Sequence, residues 1–236
     1  MPYVSFISDL DLETIISDLL QKANEASNAS KNAFHRNVID PFASVIEMAG
    51  FGLSAVQWKT AEHNRQAQKS LINEIGLFHQ RVLGRVVDWE NLGTGQQVDL
   101  VNTKRKIIAE IKNKHNTIKG SNQIDLYRQL DNLVMRKASS YKGYTAYYVE
   151  VIPKKPIRYV ESFTPADKEI GEGGKAAINA KILRTDGASF YAMATGREYA
   201  LQELFGALPK VLKKCGSTTH APDVQVAKQL FNKAFG

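Results

Sequence analysis

Two carboxylates and a lysine stand within one short stretch, residues 97–116, QVDLVNTKRKIIAEIKNKHN. Asp99 precedes Glu110 by 110 − 99 = 11 positions, and Lys112 follows Glu110 by two. Two carboxylates held a few ångströms apart repel unless a cation sits between them. Hard oxygen ligands with open water positions suit Mg²⁺. Such a cation can acidify a water and offset the charge that develops on a scissile phosphate, while an ammonium group beside it orients that water or helps to deprotonate it. The residue types therefore point to phosphodiester hydrolysis, with Asp99, Glu110 and Lys112 as the reacting set.

The elements that must position these groups are legible in the same stretch. In KIIAEIK, Ile107, Ala109 and Ile111 alternate with Ile108, Glu110 and Lys112, the period of a strand with one face in the core. Glu110 and Lys112 thus share a face. QVDLV reads as a shorter strand carrying Asp99 between Val98 and Leu100, and residues 102–105, Asn-Thr-Lys-Arg, supply a polar turn. A hairpin of this kind folds Asp99 back toward Glu110.

Asp99 followed by Glu110-Ile111-Lys112 resembles the PD-(D/E)XK nuclease signature, with Val98 where that pattern has proline. The longer run VDLVNTKRKIIAEIKNKHNT, together with FISD, NVIDPF, EIGLFHQ, WENLG and YYVEVIPKKP, resembles a family of small type II restriction endonucleases whose members cut around GGNCC. The resemblance extends from Phe6 to about Lys214. It implies a PD-(D/E)XK fold, Asp99, Glu110 and Lys112 as catalytic residues, Mg²⁺ as cofactor and double-stranded DNA as substrate. It further implies a restriction-modification setting, with a cognate DNA methyltransferase as functional partner. A near-palindromic duplex site presents the same chemistry twice, so a homodimer is expected. A repair or junction-resolving nuclease on the same scaffold is the nearest rival, and a DNA-binding module without catalysis the more distant one.

Composition sets the frame. At 236 residues, with 43% hydrophobic and 23% charged residues, the chain has the make-up of one soluble globular domain spanning 1–236. No run approaches a membrane span of ~20 apolar residues. The start, MPYVSFISDLDLE, carries Asp9, Asp11 and Glu13 where a signal peptide needs a basic end, so a cytoplasmic protein is expected. The single cysteine, Cys215, fits a reducing compartment and reads as a small side chain near a helix end. A formal net charge of +7 favours a polyanionic partner without proving one.

Helical spacing is expected over residues 10–25, from Pro41 to the Gly50 and Gly52 stops with Phe42, Val45, Ile46 and Ala49 as its apolar face, and over 54–83 with Leu71, Ile75, Phe78 and Val82 as its stripe. Residues 24–37 read as a frayed continuation or a connection. Residues 86–89 read as a short strand, and Gly93 and Gly95 as tight turns before Asp99. Beyond the centre the expectations are a helix over 122–137, a central strand over 144–152 ended by Pro153 and Pro156, and a loop-rich region over 154–187 with a short strand at 178–183. One further strand is expected at 189–194, and helices over 197–214 and 224–234. The order gives an α/β (α+β) class with a mixed sheet and a helical N-terminal part.

Further candidates surround the centre. Glu74, on the long helix, is either an additional acidic metal ligand or an ordinary solvated glutamate; His79 and Gln80 share the following turn, with His79 read as a packed or surface side chain. Asn113, Lys114, His115 and Asn116 leave the catalytic strand and are assigned to DNA contact, Lys114 to phosphate. Lys154, Lys155 and Arg158 form a basic cluster beside the prolines, and Arg158 and Arg184 are candidate readers of guanine.

Overall fold

The computed structural model describes residues 1–32, 34, 38–217 and 221–236. They divide into two compact units, Thr14–Phe78 and a second made of Met1–Glu13 with His79–Gly236.

The first unit is helical. Helix α1 (Asp9–Asn32) runs into it and α3 (Ala55–Leu83) runs out, with α2 (Pro41–Phe51) between. The continuation expected beyond Glu25 is helical as far as Asn32; residues 33 and 35–37, with which the NVIDPF segment begins, lie outside the described residues. Asp40 caps α2 by accepting from the Phe42 and Ala43 amides, Pro41 opens it, and Gly52 closes it in the left-handed conformation. Its expected apolar face is not buried: Phe42, Val45 and Ile46 are exposed, and only Ser44 is buried. Glu62, buried on α3, is held by two Arg65 bonds of 2.6 Å and by Gln66 at 2.8 Å.

The second unit is built on a six-stranded mixed sheet, in the order β1 (Glu90–Asn91), β2 (Leu100–Asn102), β3 (Ile107–Lys114), β4 (Thr145–Ile152), β6 (Ile182–Asp186), β5 (Val160–Ser162). The first three strands pair antiparallel; β3, β4 and β6 run parallel, and β5 closes the far edge antiparallel to β6. The parallel pair β3 and β4 requires a crossover, supplied by α4 (Gly120–Met135). Its Leu126, Tyr127, Leu130, Leu133 and Val134 pack against Ile108, Ala146, Tyr148 and Ile182 on one sheet face. The opposite face meets α5 (Gly187–Thr195) through Tyr147 and Phe190, whose rings are 5.7 Å apart edge to face. Helices α6 (Ala200–Lys214) and α7 (Ala221–Phe235) complete the unit, stacking Phe205 on Phe231 at 4.4 Å. Ile108 and Ala109 are both fully buried, so β3 begins with both faces covered and becomes polar on one face only at Glu110. The α/β class with a helical N-terminal part is what the sequence pattern implied.

Four local expectations are corrected. Residues 86–89 form no strand: Arg85, Val86 and Trp89 each bond three residues back, a coiled turn that puts Asp88 at φ 67°, and pairing starts at Glu90. The strand at 178–183 instead occupies Ile182–Asp186, which places Arg184 on a strand rather than in a loop. Asn113 and Lys114 likewise belong to β3. Residues 189–194 are helical, because the Asp186 side chain accepts from the Ser189 amide and caps α5, and Phe190, Tyr191 and Ala194 fall on one buried helical face. Gly187 makes this turn possible: a Cβ there would lie 2.5 Å from the Val151 carbonyl oxygen.

Candidate active site

Asp99 lies in a bend immediately before β2, not within it. Gly93 and Gly95, at φ 80° and 86°, turn the chain toward it, and the carbonyl of Gln97 is held by the Gln129 side chain of α4. The Asp99 amide donates to the Ala109 carbonyl at 3.1 Å, and its Oδ2 accepts from the Ile111 amide at 2.7 Å. Asp99 is thereby anchored to β3 on both sides of Glu110. On that strand Lys112 Nζ is 2.6 Å from Glu110 Oε1, with both side chains largely buried. The hairpin expected from the sequence brings the three groups together, although Asp99 is delivered by a bend.

The charges are unequally matched. Burial pushes the Asp99 carboxyl up to about 6, and the Glu110 charge pushes in the same direction, against the Ile111 amide and the Lys112 ammonium. Burial alone would lower the Lys112 pKa, but the charge and hydrogen bond of Glu110, with the charge of Asp99, outweigh it and raise it. Lys112 is thus held as an ammonium. Two crowded carboxylates, one already repelled by the other, form an oxygen donor pair that fits a hard divalent cation, which commonly takes one or two carboxylates and completes its shell with water. Among the described residues no group of three or more His, Cys, Asp or Glu side chains is placed to hold a metal. Glu74 lies on α3 in the helical unit.

The remaining candidates separate into two sets. His115, Lys154, Lys155 and Arg184 line one cavity of about 380 Å³, together with Glu150 and Tyr159. Lys154 and Lys155 are exposed, and Arg184 pairs with Glu161 while stacking over Tyr159 at 5.6 Å. Arg158 is outside this lining, bonded to the Glu198 carbonyl and 5.8 Å from the Tyr199 ring. Strand alternation sends Lys114 to the face of Glu110 and Lys112 and Asn113 to the opposite one. Asn116 is exposed in the turn that follows. His79, read as packed, has its Nδ1 2.9 Å from the Tyr191 hydroxyl.

Sequence reasoning missed Glu150 and Tyr159. Glu150 is only 4% exposed, pairs across the sheet with Lys112, and accepts from the Tyr159 hydroxyl at 2.6 Å. The available signal was the period of TAYYVEVI, in which a charged residue takes the same face as Ala146 and Tyr148.

Comparison with known proteins shows the family. The family model described as Eco47II restriction endonuclease matches residues 4–216. The chain is 46% identical over 213 residues to the type II restriction enzyme Eco47II of Escherichia coli, covering 90% of this chain and 88% of that protein. It is 31% identical over 214 residues to the type II restriction enzyme Sau96I of Staphylococcus aureus, covering 89% and 80%. A match across nearly the whole chain, including the β2–β3 hairpin and every strand of the sheet, places it in a family of site-specific nucleases: the chain belongs to the Eco47II restriction endonuclease family.

Proposed function

We propose that this type II restriction endonuclease hydrolyses duplex DNA with Mg²⁺ at a GGNCC-type site, through Asp99, Glu110 and Lys112. The observation that carries the reading is the anchoring of Asp99 on both sides of Glu110, with the Lys112 ammonium 2.6 Å from the Glu110 carboxylate. Water attacks phosphorus as one phosphorus–oxygen bond to a sugar breaks, and the departing sugar oxygen takes up a proton. Asp99 and Glu110 would hold the cation. Bound there, Mg²⁺ supplies positive charge that acidifies water and offsets the charge growing on the phosphate. Lys112, held protonated, donates to the phosphate oxygens and orients the attacking water, a contribution largest when the charge is greatest.

The GGNCC preference rests on the family resemblance. The enzyme is proposed to act in the cytoplasm as a homodimer, because a two-fold site asks one chain with one centre to cut twice, alongside a methyltransferase that protects the same site. Digestion of a sequenced plasmid with Mg²⁺, followed by mapping of the ends, tests the proposal. Discrete fragments ending at one short sequence are expected, whereas random degradation or no cleavage would overturn it. Light scattering with a duplex present should give the mass of a dimer.

A further inference from the structure

The face of the sheet that carries Glu110 and Lys112 continues into a second polar arrangement on β4 and β6. Glu150 is the register partner of Lys112 on one side and of Asp186 on the other. A carboxylate as buried as this is strongly penalised unless its oxygens are bonded. Tyr159 donates to Oε2, and the Tyr148 hydroxyl, on the same face of β4, also interacts with the carboxylate. Arg184 on β6 stacks on the same Tyr159 ring and shares the cavity with Glu150. His115 lines it too, with a buried Nδ1 that has no hydrogen-bond partner among the described residues. The cavity lies beyond the carboxyl ends of the parallel strands β3, β4 and β6, where open α/β sheets receive ligands.

The charges restrict what can enter. A phosphate would be repelled by Glu150, so the deep end of the cavity calls for a group that donates hydrogen bonds. Arg184, beside it, calls for acceptors. Its present partner, Glu161, is half exposed, so the guanidinium can exchange that carboxylate for a ligand. In the major groove a G·C pair offers this combination: the cytosine N4 amino group donates, and guanine O6 and N7 accept.

Resting on the proposed cleavage of duplex DNA, we infer that Glu150 and Arg184 form one specificity subsite for a single G·C pair. Glu150 accepts from cytosine N4 and Arg184 donates to guanine O6 and N7. Lys154 and Lys155, exposed at the rim, hold the adjoining phosphates. Tyr159 positions both readers, through its hydroxyl and its ring.

The test starts from the cleaved sequence established by end mapping. A series of duplexes, each with one G·C pair of the site replaced by A·T, is competed against the intact site in Ca²⁺. The unsubstituted enzyme should lose about tenfold or more in affinity at each recognised pair. Glu150→Gln and Arg184→Lys should each reduce that discrimination to below about threefold at the same pair and its two-fold mate, leaving the other pairs unchanged. An unaltered profile, a uniform loss at every pair, or effects at two different pairs would each overturn the inference. Should Glu150→Gln fail to fold in a thermal melt, Tyr159→Phe, which releases the carboxylate without removing it, is scored in its place beside Arg184→Lys. Absence of any site-specific cutting by the unsubstituted enzyme would instead overturn the proposed function.

Discussion

Lys112 Nζ sits 2.6 Å from Glu110 Oε1, two residues along the same face of β3, whereas among the described residues the Ile111 amide is the one hydrogen-bond donor to the Asp99 carboxylate. One carboxylate is therefore compensated by a cation of the chain itself, and the other is left in its field. The upward push on Asp99, to about 6, is the electrostatic expression of that imbalance. A proton or a divalent cation relieves it, and the two compete.

From this competition follows a dependence on pH and metal together. Asp99 binds its proton more tightly in the fold than in the open chain, so below about pH 6 the proton opposes the cation, and above it the site is free to bind. The Mg²⁺ concentration for half-maximal cleavage should rise about tenfold per pH unit below 6, and added Mg²⁺ should restore the rate. Ca²⁺ should support binding with little cutting, and cleavage in excess EDTA should be absent. A Mg²⁺ requirement that does not change between pH 5 and 8 would contradict the assignment of Asp99.

His79 gives a second pH effect of a different kind. Burial lowers its pKa from 6.5 to about 4. The folded state prefers the neutral ring, so this contribution is fully present above about pH 6.5 and is lost as the pH falls toward 4, amounting to ~3 kcal/mol. Urea melts of the unsubstituted chain and of His79→Gln, followed from pH 7 to pH 4, should show a shallower fall in the variant. Parallel curves would mean that His79 is not held neutral by its burial.

The parts of this centre differ in how openly the sequence displays them, and the difference has physical causes. Glu110 and Lys112 are visible because alternation in a strand is local, and two residues along it always share a face. The bend at Asp99 is less visible, since it depends on bonds to Ala109 and Ile111 across the hairpin. Glu150 lies in an aromatic and β-branched run that reads as core; its burial and its Tyr159 partner arise only when β4 and the chain entering β5 are brought together. The strand expected at 189–194 fails for a related reason. Six apolar residues carry too short a period to separate a strand from a helix, and the Asp186 cap decides. Arg158 and Arg184 look alike in the sequence, yet only Arg184 reaches the cavity.

Phosphate contacts have a signature distinct from base contacts. Lys114 and Lys155 are exposed, Lys114 on the catalytic face of β3 and Lys155 at the rim of the cavity. Replacing either by alanine should weaken specific and non-specific complexes together, and lower the slope of log affinity against log salt by about one. Gel-shift titrations over a range of salt concentrations measure this directly. A loss confined to the specific site would reassign the lysine to base reading.

The strongest test of the centre separates binding from cleavage. Lys112 is charged beside Glu110, and its ammonium acts most strongly on the state in which negative charge on the phosphate is greatest. Lys112→Ala should therefore slow single-turnover cleavage in Mg²⁺ by about 10²-fold or more while leaving most site-specific affinity measured in Ca²⁺. Glu110→Ala should abolish cutting as well, through a different route. It removes half of the oxygen pair that would hold the cation, and it also removes a negative charge facing the DNA backbone, so metal-free binding should be retained or tightened. The two variants are thus distinguished by Mg²⁺: a higher concentration should recover part of the lost rate in Glu110→Ala and none in Lys112→Ala. Cleavage by both variants at the unsubstituted rate would remove Glu110 and Lys112 from the mechanism and return the search to the other acids on this face, Glu150 first.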